Sequence, residues 1–160
     1  MKRFKRFYTD NGGKLFGYLL HKCGCRSLAD DLVQETFTRY MERYRNHELS
    51  PALLFTMGRN LYYDHLRSRR AGVALTDNIE QKTFSSQEAS YIFREESQKV
   101  LRCLQRLDDE ERDILALVVS SELRYQEIAE IRGCSKANIK VKVHRARKRL
   151  KQLLQEDNDE

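Results

Sequence analysis

Apolar residues along this 160-residue chain recur at three- and four-residue intervals, the spacing of helices that bury one face. Phe4, Phe7 and Tyr8 open such a face, Asn11-Gly12-Gly13 should interrupt it, and Leu15, Phe16, Leu19 and Leu20 resume it as far as His21. Cys23-Gly24-Cys25 then breaks the helix, and Ser27 is expected to cap the next one, with Asp30 at the capping-box position. Over 28–44, Leu28, Leu32, Thr36, Tyr40 and Tyr44 share one face, flanked by Val33, Phe37 and Met41. After a short polar loop at 45–49, Ser50-Pro51 supplies a capping hydroxyl and a proline at the first helical position. The helix it starts should reach about residue 70, with Leu53, Leu54, Met57 and Leu61 inward.

Residues 71–88 lose this periodicity and gain Gly, Ser, Thr and Asn, as a linker would. From about residue 89 a helix carries Ile92, Val100, Cys103, Leu104 and Leu107. Asp108 should cap another, with Glu111 three residues on, leading to Ile114, Leu115, Leu117 and Val118 before a break at Ser120-Ser121. No alternating β-branched run is long enough for a sheet, and Pro51 is the sole proline. The expectation is an all-α chain of two small helical domains on a flexible linker: 1–70, a linker at 71–90, and 91–156.

The stretch 125–154 carries the most specific pattern. Ile128 and Ile131 mark a short helix with Ala129 small enough for close approach by another. Gly133 can end it with φ > 0, and Ser135 can cap the next helix. There Ile139, Val143, Ala146 and Leu150 make one apolar stripe, with Lys136, Lys140, Lys142, Arg145, Arg147, Lys148, Arg149 and Lys151 mostly off it. A helix of about 20 residues is roughly 30 Å long, enough to enter a major groove and continue along phosphates. This is a helix-turn-helix with a basic reading helix. A basic amphipathic helix alone could also be a solvated face, or bind acidic proteins or membrane surfaces; the helix, glycine turn and serine cap in order favour DNA. The acids after residue 154 read as a frayed tail.

Charge adds a second contact. Residues 1–70 carry 14 basic and 7 acidic side chains, 71–135 carry 8 and 13, and 136–160 carry 8 and 4. Two basic ends around an acidic middle suggest two separate nucleic-acid contacts. On the polar side of 51–70 stand Arg59, Asn60, Tyr63, Asp64, Arg67 and Arg70. Cations interleaved with Tyr62, Tyr63 and His65 suit a single strand, whose bases stack on flat rings; equally, both tyrosines could be aromatics at the core's edge. Asp31, Gln34, Glu35 and Thr38 fall on the outer side of their helix, as a partner surface or as ordinary solvation.

No apolar run is long enough to span a bilayer, and the first residues lack a signal-peptide core, so a cytoplasmic, nucleoid-associated protein with reduced thiols at Cys23, Cys25, Cys103 and Cys134 is expected. His21, Cys23 and Cys25 could hold a metal or sense redox state, but structural zinc wants a fourth ligand and none is evident nearby. No cofactor is expected, and no nucleophile–base pair, phosphate loop or paired metal carboxylates suggest an enzyme.

Asp31-Leu-Val-Gln-Glu-Thr-Phe37, with Arg59-Asn60, Asp64 and Leu66-Arg67, closely resembles the promoter-melting domain of bacterial sigma factors. Leu107, Glu111-Arg112, Tyr125-x-Glu127-Ile-Ala129 and His144-Arg145-Ala-Arg147 resemble their helix-turn-helix domain. The pair, with nothing between, is similar to the small extracytoplasmic-function (ECF) group. The resemblance implies that Asp31, Gln34 and Glu35 face the β′ clamp helices of core RNA polymerase, whose β flap is a further contact. It implies that Arg45, Asn46 and His47 lie in the element capturing a flipped −10 base, and that Asn60, Asp64, Arg67 and Arg70 hold −10 DNA. It places Ser135, Lys136, Asn138, Lys140, Val141, Lys142, His144, Arg145 and Lys148 toward the −35 duplex. It also implies an anti-sigma partner and no catalytic residue. The family's usual Trp-Leu and Ile-Ala pairs are here Leu53-Leu54 and Met57-Gly58; Gly58 costs about 1 kcal/mol relative to Ala and suggests local flexibility. A stand-alone helix-turn-helix repressor or activator is the alternative, and leaves the 31–37 and 59–70 patterns unexplained.

Overall fold

The computed structural model describes residues 2–71 and 88–160, and of 88–94 the backbone alone. The expected linker therefore lies almost wholly outside the described residues, as does the side chain of Ile92. Seven helices make up the described residues, with no strand: α1 (Lys2–Cys23), α2 (Arg26–Tyr44), α3 (Pro51–Arg70), α4 (Glu88–Arg106), α5 (Asp109–Ser120), α6 (Tyr125–Arg132) and α7 (Lys136–Asp159).

The first three form one bundle. Phe7, Leu15, Tyr18 and Leu19 of α1, Ala29, Leu32, Val33, Phe37 and Tyr40 of α2, and Leu54, Phe55, Leu61 and Tyr62 of α3 are buried together. Each such large apolar side chain contributes roughly 1.5–3 kcal/mol by leaving water. The break expected at Asn11-Gly12-Gly13 is absent, and α1 runs through it. Asn11 is buried and its Nδ2 donates to the Phe7 carbonyl at 3.0 Å, so the side chain is satisfied within the helix while apolar residues on both sides hold it. Tertiary burial outweighs about 1 kcal/mol per helical glycine.

Gly24, at φ +67°, ends α1, and its N–H donates to the Leu20 carbonyl at 2.7 Å. Ser27 does not cap α2: the N-cap is Cys25, without a side-chain cap. The Cys25 N–H instead approaches the Cys23 Sγ at 3.4 Å, which starts the helix a residue before the serine. Gly58 is a packing residue. A Cβ there would lie 2.8 Å from Leu15 Cδ1 and 3.5 Å from Thr36 Oγ1, so α3 touches α1 and α2 at its backbone. Close approach, rather than the flexibility read from sequence, accounts for it.

The helices α4 to α7 form the second bundle, and three expected caps are kept across the two bundles. Ser50 Oγ, at the start of α3, accepts from the Leu53 N–H at 3.2 Å, and in the second bundle Asp108 Oδ1 accepts from the Glu111 N–H at 2.8 Å and Ser135 Oγ from the Asn138 N–H at 3.1 Å. Gly133 takes φ +69°, and the Cys134 N–H donates to the Ala129 carbonyl at 3.0 Å. Cys103, Leu104, Leu107, Ile114, Leu115, Leu117, Ile128, Ala129, Ile139, Val143, Ala146 and Leu153 are buried. Val100, expected inside, is exposed, and Leu101 packs on the core in its place. The expected tail is also helical. Arg106 pairs with Glu156 at 3.3 Å and Lys99 with Asp157 at 3.8 Å, so the last acids of α7 lie along the cations of α4.

The two bundles meet. Antiparallel to α1, α5 places Glu122, just past its end, 2.8 Å from Lys14, Ser120 beside Gly17 and His21, and Asp113 on Tyr18 and Lys22.

Candidate nucleic-acid interface

The exposed side of α7 is built by its cap and stripe. With Ile139, Val143 and Ala146 buried, Ser135, Lys136, Asn138, Lys140, Val141, His144, Arg145 and Lys148 fall on the solvent side. Val141 is 48% exposed, an apolar side chain in the middle of a cationic face. Lys142 differs: it is partly buried and paired with Glu110 at the start of α5. That pair holds the Glu110 carboxyl below its ordinary value.

On α2, Asp31, Gln34 and Glu35 are all exposed. Gln34 Nε2 donates to the Tyr8 hydroxyl at 3.3 Å, and Arg39 Nε donates to Glu35 at 2.6 Å. This face is separate from the contact with α5. Beyond α2, Arg45, Asn46 and His47 are exposed, with the His47 ring edge-on to Tyr44 at 5.6 Å between centroids.

The polar side of α3 divides in two. Asn60, Asp64, Arg67 and Arg70 are exposed, with Asp64 and Arg67 paired to each other. Arg59 and Tyr63 are engaged by α5. Arg59 Nε donates to Asp113 Oδ2 at 3.0 Å, and the Tyr63 hydroxyl donates to Asp109 Oδ2 at 2.8 Å. Lys22, fully buried, donates to Asp109 at 2.9 Å and to the Tyr63 hydroxyl at 2.7 Å, and lies 3.4 Å from Asp113. Arg132 of α6 completes the ring around Asp113, which also accepts from the Tyr18 hydroxyl at 2.6 Å.

Burial lowers the Lys22 pKa, against the pull of Asp113 and Asp109. Burial and then Asp113 raise the Tyr18 hydroxyl's, and Tyr63 is likewise pushed up by burial and by Asp113. Tyr62 is 3% exposed and belongs to the core, which settles the choice between core and stacking platform for that ring. This charged cluster is absent from the sequence reading. Lys22 and Asp113 sit at ordinary helical positions, and only the packing of α1 on α5 brings them together.

The His21–Cys25 stretch is occupied by local contacts. His21 Nδ1 lies 3.0 Å from Ser120 Oγ, and Cys23 Sγ lies 3.3 Å from the Cys25 carbonyl. Burial pushes the Cys23 thiol up to about 11. Among the described residues no group of three or more His, Cys, Asp or Glu is placed to share a metal. No helix among them is long and apolar enough to cross a membrane.

Comparison with known proteins agrees with this geometry. Residues 7–72 match the family model for sigma-70 region 2, and residues 97–150 the model for sigma-70 region 4. The chain is 35% identical over 149 residues to the ECF RNA polymerase sigma factor EcfG of Rhodopseudomonas palustris (strain TIE-1), covering 91% of this chain and 82% of that protein. It is 33% identical over 143 residues to the ECF RNA polymerase sigma factor SigM of Bacillus subtilis (strain 168), covering 87% of each. Among solved structures, the sigma factor RpoE in complex with the anti-sigma factor NepR from Bartonella quintana matches with a TM-score of 0.74 and 27% identity, over 97% of this chain and 98% of that one. Two sigma-70 models in order, and relatives matched over most of their own length, establish that the chain belongs to the extracytoplasmic-function RNA polymerase sigma factors of the sigma-70 family.

Proposed function

We propose that this sigma factor assigns its contacts to separate faces, with residues 1–70 as the polymerase and −10 domain, 71–90 as the link, and 91–156 as the −35 domain. Asp31, Gln34 and Glu35 on α2 meet the β′ clamp helices of core polymerase. Arg45, Asn46 and His47 capture a −10 base, while Asn60, Asp64, Arg67 and Arg70 hold the melted strand. Ser135, Lys136, Asn138, Lys140, Val141, Lys142, His144, Arg145 and Lys148 meet the −35 duplex. Val141 suits a thymine methyl, and Arg145 or Lys140 a guanine edge. The chain supplies no catalytic residue; polymerase does the chemistry. Its place is the cytoplasm, with the nucleoid, where an anti-sigma protein holds it inactive until needed.

The observation that carries this reading is the cationic face of α7. It projects from a glycine turn and a serine cap, and is exposed along most of its length. Mixed with core polymerase and its own promoter, the purified chain directs specific initiation in reconstituted transcription. Tight operator binding without core, with transcription blocked, would establish a repressor instead.

A further inference from the structure

The loop between α2 and α3 is short and is tied to α2 at both ends. Residues 45–48 are exposed, and Leu49 turns back onto the core. At the loop's exit the Ser50 N–H donates to the Tyr40 hydroxyl at 2.9 Å. Ser50 Oγ and the Ser50 carbonyl are engaged by the N–H groups of Leu53 and Leu54, at the first turn of α3. This serine is therefore fixed through all three of its polar groups. At the loop's entry the His47 N–H donates to the Tyr44 carbonyl at 3.0 Å, and the His47 ring lies edge-on to Tyr44, at 79° between planes. Tyr40 and Tyr44 are one helical turn apart with ring centroids 5.5 Å apart, and Tyr40 packs in turn on Phe7 at 5.3 Å. Three rings thus run from the core to an exposed imidazole.

Tyr40 is fully buried, and packing alone asks only for a phenyl ring there. A buried hydroxyl is costly unless it is bonded. This one accepts a backbone N–H from beyond its own helix, across the loop, so the place where the loop ends follows from the place of α2. A loop already held in one shape binds without first being ordered, which is what the capture of a single base needs. We infer that Tyr40 and Tyr44 are positioning residues for the −10 strand, a role that rests on the assignment of Arg45, Asn46 and His47 to base capture. Tyr40 fixes the loop's exit through its hydroxyl, and Tyr44 carries the His47 ring. Neither touches the base.

The test separates binding of a base from binding of its backbone. Full-length chain is titrated with fluorescein-labelled oligo(dA), oligo(dC) or oligo(dT) of about twelve nucleotides, and with an abasic tetrahydrofuran strand of the same length and charge. A homopolymer presents its base in every register, so no promoter sequence is needed. The readout is the affinity for the preferred homopolymer divided by that for the abasic strand. His47→Ala, which removes a group that meets the base, should lower this ratio about tenfold. Tyr40→Phe keeps the ring and should lower it about threefold to tenfold, the worth of one hydrogen bond. Abasic-strand affinity, its salt slope and the far-UV circular dichroism spectrum should not change. Tyr44→Ala should lower the ratio about threefold, and Tyr44→Phe should restore it. In a His47→Ala background Tyr44→Ala should lose nothing further, because it acts through that ring. An unchanged ratio in Tyr40→Phe, or equal losses on every strand with the abasic one included, overturns the positioning role and leaves base capture standing. A wild-type chain that prefers no homopolymer over the abasic strand removes base capture, and the positioning role with it.

Discussion

Helices α3 and α7 are both long, basic and amphipathic, yet their cations have different occupations. Those of α7 mostly face water, because its apolar stripe is narrow; Lys142 pairs with Glu110, and Arg149 lies close enough to Glu111 to act on its charge. Those of α3 are split between water and the interior, because α5 packs close enough to place Asp109 and Asp113 among them. A cation that faces water costs little to hold and is free for phosphate. One that faces a buried carboxylate is part of the fold, and removing its partner leaves an unpaired charge inside. Similar sequence patterns thus lead to a reading surface in one helix and a shared structural one in the other.

The comparison breaks hardest at Asp113. Asp113→Ala removes a buried carboxylate from Lys22, Arg59 and Arg132 at once, leaving Lys22 with Asp109 and Arg132 with Glu110. It should cost about 3–5 kcal/mol in urea unfolding, where Arg145→Ala on α7 stays within about 0.5 kcal/mol. A loss below about 1 kcal/mol for Asp113→Ala would mean that the cluster is solvated in solution.

On α7 the effect appears in binding instead. Arg145→Ala should cost about 1–3 kcal/mol, chiefly on the preferred −35 duplex. Lys151→Ala, where the helix can meet only phosphate, should weaken all duplexes alike and reduce the salt slope by about one unit. Affinities for the preferred and a scrambled duplex across a salt series distinguish the two. Equal losses on both duplexes for Arg145→Ala would make it a positioning contact only.

The α2 face offers a smaller test. Glu35→Arg reverses a charge 49% exposed and gives up only the pair with Arg39, about 0.3–0.5 kcal/mol for such a helical spacing. Affinity for core polymerase should fall while the far-UV circular dichroism spectrum is unchanged. Unaltered affinity removes Glu35 from that interface.

Smallest is an effect of pH on the contact between bundles. Burial opposes the Asp109 charge, but hydrogen bonds from Lys22 and Tyr63 and the charges of Lys22 and Arg112 prevail and hold its pKa below 3.8. A carboxyl with a depressed folded pKa contributes its full stabilisation above the unfolded value and loses it as pH falls through the folded one. Energy transfer between dyes on the two bundles should therefore decline on acidification below about pH 4, with part of the decline missing in Asp109→Asn. Identical titrations for the two chains would show that Asp109 does not hold the bundles together.

The elements were legible in the chain wherever one local rule acted alone. Ser50-Pro51, Asp108, Gly133 and Ser135 mark helix boundaries that the structure keeps, because a cap or a left-handed turn is decided by the residue and its near neighbours. Where tertiary burial competed, local reading failed. Asn11-Gly12-Gly13 stays helical inside a packed helix, Cys25 takes the start of α2 from Ser27, and the terminal acids continue α7 along α4. The exposed faces of α2 and α7 followed from helical period, since a residue opposite a buried stripe must face outward.

By itself, then, the sequence determined the helices, most of their boundaries and the family, all properties of short-range spacing and residue type. Only the tertiary structure decided that Gly58 is a contact, that Tyr62 is core, and that Arg59, Tyr63 and Lys22 share two carboxylates with α5. Those facts depend on which face of α5 meets α1, and Lys22 and Asp113 stand 91 positions apart along the chain. Periodicity shows that a side chain turns inward or outward on its own helix, and does not say which distant helix will be there to receive it.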